Sequence, residues 1–201
     1  MKKNALVIVD PQNDFCPGGA LPVIDGHKIM RLICAILGKY NYIVITADNH
    51  TDDQISFAKN HKDANPFDLI QVSYGDQVAW PSHCVQGTFG AEFHPDILPA
   101  VHKSNIIIRK GMNPEIDSYS AFYENDQKTS TGLAGYLREL CVDDIDFVGL
   151  AFDFCVGYSA LDAIECGFNA RIIKHLTKAI DINGSEADMT KRLVSAGVKI
   201  I

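Results

Sequence analysis

What this chain of 201 residues has little of narrows its class before any motif is read. Basic residues are outnumbered: 18 Lys and Arg against 25 Asp and Glu leave a formal charge of −7. Neutralising phosphates needs a basic patch, so no nucleic-acid partner is expected. The N-terminal region lacks a long apolar run. After Met1-Lys2-Lys3 the apolar stretch extends only from Ala5 to Val9, too short for a signal-peptide core or a membrane span. A cytoplasmic protein with no membrane partner is therefore expected. No C-x-x-C pair occurs among the six cysteines, at 16, 34, 84, 141, 155 and 166, which argues against zinc ribbons and thioredoxin-type motifs. A reducing compartment also disfavours disulfides between them. No Pro- or Ser-rich linker, low-complexity tract or internal repeat divides the chain. One domain over 1–201 is expected, long enough for a substantial core.

What is present is an alternation of short β-branched runs with helical patterns. Strands are predicted at 5–9, 42–47, 106–108, 145–150, 170–173 and 198–201, and helices at 28–37, 131–140, 156–165 and 186–196. Several strands are near-continuous apolar runs, as expected where both faces are buried. Gly38, Gly167 and Gly197 fit helix ends, and Ser185 with Asp188 resembles a capping signal. The pattern predicts an α/β fold, a mainly parallel sheet of about six strands with helices on both faces. Residues 49–103 break the rhythm with prolines, histidines and aromatics. So long an irregular stretch is usually functional, and it is read as a loop insertion.

Ligands of such sheets bind outside the carboxyl ends of the strands. The residues at those ends are Asp10, Asp48, Lys110 and 152–155, which closes on Cys155. A cysteine entering a helix faces the positive end of its dipole, and a lowered thiol pKa is expected there. The commoner role of a cysteine, a small buried hydrophobe, competes with that reading. A thiol attacking a carbonyl needs a base held in the right protonation state. Asp10 is the candidate base and Lys110 its charge partner, although an Asp–Lys pair at a sheet edge can also be purely structural. A papain-like arrangement would require histidine instead, and no histidine immediately follows a core strand.

A second constellation lies in the irregular segment. Asp48 and His50 are two apart, so an extended chain turns both to one side; His83 follows in Trp80-Pro-Ser-His83-Cys84, with Gln54 and His61 between. A carboxylate and two imidazoles suit zinc, iron or manganese. Phe15, Trp80 and Tyr119 stand in loops near these motifs. They form either a satellite apolar cluster or a flat pocket for an aromatic ring.

Together, Val9-Asp10-Pro-Gln-Asn-Asp14-Phe15, Gly18-Gly19-Ala20-Leu21, Thr46-x-Asp48-x-His50, Trp80-Pro-x-His83-Cys84-Val85, Lys110-Gly111, Asp117-Ser-Tyr119-Ser-x-Phe122 and Gly149-Leu-Ala151-x-Asp153-x-Cys155-Val156 resemble the nicotinamidases. These belong to the isochorismatase-like cysteine hydrolases, and the resemblance runs from about Ala5 to Ile173. It implies Asp10 as general base, Lys110 as its electrostatic partner and Cys155 as nucleophile. It also implies an oxyanion hole from the Ala151 and Cys155 N–H groups, and a cis Leu150–Ala151 bond. Asp48, His50 and His83 would hold one divalent ion, zinc ahead of iron or manganese. Phe15 and Trp80 would flank the substrate ring, with Leu21 and Tyr119 in the surrounding wall.

The implied activity is hydrolysis of nicotinamide to nicotinate and ammonia through a cysteine thioester, in pyridine-nucleotide (NAD) salvage. Pyrazinamide is the expected analogue, and a homo-oligomer is left open. Gln54 stands where many relatives carry a further histidine, so three protein ligands are expected. Phe152 and Phe154 replace polar residues beside the nucleophile, and Lys174-His175-Leu-Thr-Lys178 replaces an acidic-then-Arg pattern. Two alternatives accompany this reading: an amidase acting on carbamoyl or ureido substrates, and an idle ligand-binding or thiol-sensing relative. Retention of Asp10, Lys110 and Cys155 argues against the second.

Overall fold

The computed structural model describes residues 3–201. Its sheet has six strands in the order β5-β2-β1-β6-β7-β8, every neighbour parallel. The strands are β1 (Lys3–Val9), β2 (Tyr42–Asp48), β5 (Ile106–Lys110), β6 (Val142–Leu150), β7 (Asn169–Lys178) and β8 (Lys199–Ile200). The predicted mainly parallel, six-stranded α/β sheet is what forms.

Alternation along β1 divides the core in two. Ala5, Val7 and Val9 face the layer of α3 (Leu133–Glu139), α4 (Gly157–Glu165) and α5 (Ser185–Ser195), whereas Leu6 and Ile8 face α1 (Met30–Ile36) and α2 (Leu98–Val101). Residues two apart on a strand share a face, so a continuous apolar run serves both layers at once. No helix among the described residues is long and apolar enough to cross a membrane.

Several local expectations are revised. β2 and β5 extend through Asp48 and Lys110, so these side chains leave from the last ladder positions rather than from loops. Residues 49–103 are not wholly irregular: β3 (Leu69–Val72) and β4 (Gly75–Val78) form an antiparallel hairpin, and α2 closes the segment. The hairpin is largely exposed and lacks the apolar alternation that would have marked it. Ser185 does not cap its helix. Gly184 occupies the N-cap, and the Ser185 hydroxyl donates to Asp153 Oδ2 at 2.6 Å. Cys141 is exposed at positive φ in the turn before β6. The Lys174–Lys178 stretch proves to be the second half of β7, beyond a shift in its register with β6. There Lys174 pairs with Glu186 and lies 3.7 Å from the centre of the Phe152 ring.

Phe147 is fully buried in β6 and packs on Phe122. Phe147→Ala should cost about 3–5 kcal/mol, lowering the urea midpoint with little change in slope.

Candidate active site

The β2–β5 register sets Asp48 directly opposite Lys110, and Asp10 follows the adjacent β1. All three side chains are buried. Lys110 Nζ lies 2.9 Å from Asp10 Oδ2 and 2.5 Å from Asp48 Oδ1, donates to the Ser118 carbonyl at 2.9 Å, and stands 3.4 Å from Cys155 Sγ. Sequence reasoning paired Lys110 with Asp10 alone; the structure joins it to both carboxylates and the thiol. The Asp10 backbone is left-handed, at φ 45°. Thr46 holds it there, accepting the Asp10 N–H at 3.1 Å and donating its hydroxyl proton to Asp10 Oδ1 at 2.5 Å. Burial raises Asp10 to about 6; Asp48 pushes the same way, while Lys110 and Thr46 oppose.

Cys155 lies on a π-type turn, Phe152–Val156, leading into α4. Such turns recur at functional sites because one extra residue re-aims a side chain. The Ala151 carbonyl accepts N–H groups from both Phe154 and Val156, and the Ser159 hydroxyl donates to the Cys155 carbonyl at 2.6 Å. The expected fall in thiol pKa is not what this environment produces. Burial, with Asp10 and Asp48 adding to it, pushes Cys155 well up, although Lys110 pulls the other way. One oxygen each of Asp10 and Asp48 lies within 4.8 Å of the sulfur.

Asp48, His50 and His83 each offer one atom, all within 4.8 Å of one another. His50 Nδ1 donates to the Gly111 carbonyl at 2.9 Å, and His83 Nδ1 to the Pro81 carbonyl at 2.8 Å. A carbonyl only accepts, so each ring carries a proton on Nδ1, and Nε2 is the atom turned to the interior of the group. Both Nε2 atoms face Asp48 Oδ2, at 3.7 and 3.8 Å. This donor set fits a divalent ion. Asp10, Asp48 and Cys155 form a second cluster of similar size, but the Lys110 ammonium already supplies its cation. Gly111 is required beside the first group: at φ 65°, a Cβ there would sit 2.4 Å from the His50 ring. His61 bonds the Ile55 carbonyl instead of joining, and Gln54 is buried with Nε2 on the Ile116 carbonyl.

A narrow cleft joins the thiol to this group. Phe15, Leu21, Trp80, Tyr119, Ala151 and Cys155 line it, so the expected ring-contacting residues do converge. Sequence reasoning did not assign Phe154, Ile180 and Asp117, which line it too. The Leu150–Ala151 peptide before the turn is cis.

Two further residues were quoted in a motif but given no task. The Gln12 amide clamps the Asp48 backbone from both sides, donating to its carbonyl and accepting its N–H at 2.8 Å each. Asp14 accepts the Ala20 N–H at 2.9 Å and the Cys84 N–H at 2.7 Å. It thereby ties the loop of Phe15 and Leu21 to the loop of His83. Spacing gave no hint of either, because Gln12 acts on backbone 36 positions away and Asp14 joins its own loop to backbone 70 positions away.

The sequence pattern of the isochorismatase domain matches residues 4–201. The chain belongs to the isochorismatase family. Among relatives within this isochorismatase family, a nicotinamidase of Acinetobacter baylyi is 50% identical over 98% of this chain and 91% of its own. A nicotinamidase/pyrazinamidase structure from Acinetobacter baumanii superposes with a TM-score of 0.96 at 47% identity, covering 100% of this chain and 96% of its own. A pyrazinamidase from Pyrococcus horikoshii in complex with zinc superposes at 0.76 with 32% identity, over 99% and 98% of the two chains.

Gln12→Ala strips two hydrogen bonds from the buried Asp48 backbone. It should destabilise the fold by roughly 1–3 kcal/mol in thermal unfolding.

Proposed function

We propose that this protein hydrolyses nicotinamide to nicotinate and ammonia, serving NAD salvage, with pyrazinamide as an alternative substrate. One observation carries the reading. A thiol, a carboxylate and an ammonium meet at one sheet edge, beside an Asp/His/His group and an aromatic cleft.

Asp10 takes the Cys155 thiol proton as sulfur attacks the carboxamide carbon, forming the C–S bond. Burial pushes the thiol pKa up, so a base beside the sulfur assists its attack. Negative charge on the carboxamide oxygen is received by the Ala151 and Cys155 N–H groups. Removal of such a donor costs on the order of 10²–10³ in rate elsewhere. As the tetrahedral adduct collapses, Asp10 returns its proton to nitrogen, and the C–N bond breaks to release ammonia. Water then attacks the nicotinoyl thioester and gives its proton to Asp10. Rupture of the C–S bond frees nicotinate, and the thiolate recovers its proton from Asp10. Lys110 stays charged throughout and keeps Asp10 available as the anion.

Asp48, His50 and His83 would hold one divalent ion, zinc first by its preference for imidazole and carboxylate ligands. Bound there, the ion supplies a Lewis acid that attracts the pyridine nitrogen and orients the ring. Phe15 and Trp80 flank that ring, and Leu21 and Tyr119 complete the wall. A cytoplasmic setting suits this chemistry, because it keeps the six free cysteines reduced.

Cys155→Ala should cut ammonia release from nicotinamide by roughly 10⁴-fold or more while leaving bound metal unchanged. Trapping the wild type during turnover should give a nicotinoyl adduct on Cys155 by mass spectrometry. Ammonia release by the variant at the wild-type rate would overturn the mechanism. His83→Ala, or chelation of the wild type, should lower metal by elemental analysis and raise KM for nicotinamide. Full metal occupancy in His83→Ala would remove His83 from the ligand set.

A further inference from the structure

The β3–β4 hairpin is mostly exposed, with Leu69 66% accessible, yet it carries one buried polar side chain, Gln77, at 2%. Every hydrogen-bonding group of that amide is engaged. Gln77 Nε2 reaches the Tyr119 hydroxyl at 2.7 Å, the Val78 carbonyl at 2.9 Å and Asp117 Oδ2 at 3.2 Å. Its Oε1 accepts from Asn125 Nδ2 at 2.9 Å and from the Tyr74 hydroxyl at 3.2 Å.

Each partner leads into the site. The Tyr119 hydroxyl also accepts Trp80 Nε1 at 3.1 Å, and their rings meet edge to face with centroids 6.2 Å apart. Asn125 turns its other end to the Tyr119 backbone, accepting that N–H at 2.9 Å. Asp117 Oδ1 lies 4.0 Å from His50 Nε2 and accepts the Ser118 N–H at 2.7 Å. The Ser118 carbonyl is in turn an acceptor for Lys110. Among the described residues, Gln77 is the donor that reaches Asp117 Oδ2.

We infer that Gln77 is a positioning residue: its amide locks the Tyr119–Trp80 wall and the Asp117 carboxylate beside the Asp48/His50/His83 group into one unit, setting how tightly the substrate ring is held. The inference deepens the amidase reading and rests on it for the substrate, a planar nitrogen heteroaromatic carboxamide. Gln77 does not contact Asp10, Lys110 or Cys155, so bond-making is left intact. The ring contacts it supports persist from bound substrate to transition state, and loss of such uniform binding raises KM rather than lowering kcat. Asp117 Oδ1 lies 4.0 Å from His50 Nε2, on the edge of the ring that also faces Asp48, so a carboxylate set loose there disturbs the donor group, and loss of such a supporting partner costs 10- to 100-fold in metal affinity elsewhere.

The test uses Gln77→Met, which keeps length and loses every hydrogen bond. Gln77→Glu, which keeps shape but sets a carboxylate against Asp117, serves as the second variant. Trp80 is the only tryptophan in the chain, so intrinsic emission reports directly on the wall. Both variants should raise KM for nicotinamide about 10-fold with kcat within about 3-fold of wild type. Both should shift Trp80 emission to the red, and zinc should pass to a chelator about 10-fold more readily. Unchanged KM and unchanged emission would overturn the inference, as would a fall in kcat at constant KM. If Gln77→Met fails to fold, Gln77→Glu alone decides by the same readouts. Emission and zinc retention need no turnover. Their shift in a protein inactive on nicotinamide would sink the substrate assignment and still support the role of Gln77.

Discussion

The constraint on which the site depends is the buried ammonium of Lys110. An uncompensated ion in a protein interior costs several kcal/mol, so this one persists only because its surroundings are complete. Asp10, Asp48 and the Ser118 carbonyl all lie within 3 Å of Nζ. Removing any of them would leave charge stranded. The strand ends of β1, β2 and β5 are therefore bound together by electrostatics as well as by the sheet ladder. One ammonium between two carboxylates leaves a local excess of negative charge. The Asp48/His50/His83 group borders that excess, because Asp48 belongs to both, and a divalent cation held there would offset it.

Precision at the strand ends has to extend into the loops, and the polar side chains that carry it are mostly not reactive. Gln12 grips the Asp48 backbone, Asp14 joins the Phe15 loop to the His83 loop, and Thr46 holds Asp10 at its left-handed turn. Asp153 does the same on the opposite wall. Its carboxylate accepts the Ile180 and Asp181 N–H groups and the Ser185 hydroxyl, drawing Ile180 over the cleft. Each is buried or half-buried with its acceptors filled, the condition under which a polar network rigidifies rather than weakens a site.

Much of this could be read from the chain because buried parallel strands announce themselves as apolar runs, and a parallel sheet gathers their C-terminal ends at one edge. Asp10, Asp48, Lys110 and Cys155 were legible for that reason. What stayed hidden depends on contacts between distant segments. The hairpin carrying Gln77 has two four-residue strands without polar–apolar alternation, so period and composition both pass over it. Gln12 and Asp14 bond to backbone, which leaves no complementary residue type to detect. The strand β7 continues beyond a register shift that β propensity cannot foresee. The thiol pKa was misjudged for a related reason. A helix N-terminus is visible in sequence, whereas the burial that outweighs it belongs to the assembled fold.

That reversal gives the company of Cys155 a purpose in the proposed reaction. An exposed, dipole-stabilised thiolate would be ready without a base, but it would also be open to oxidation and to any electrophile. Buried beside two carboxylates, Cys155 has its pKa pushed up, and in the proposed reaction Asp10 takes its proton. Lys110 makes the arrangement workable in both directions: it favours Asp10 as an anion before attack and favours sulfur as an anion after proton transfer. One fixed cation beside both partners narrows the gap between their two charge states without becoming a reactant. The Asp48/His50/His83 group lies beside this pair and is joined to it through Lys110, which contacts both Asp48 and Asp10. In the proposed reaction, substrate orientation and bond-making are thus tuned by different residues, and a change at Asp48 disturbs both.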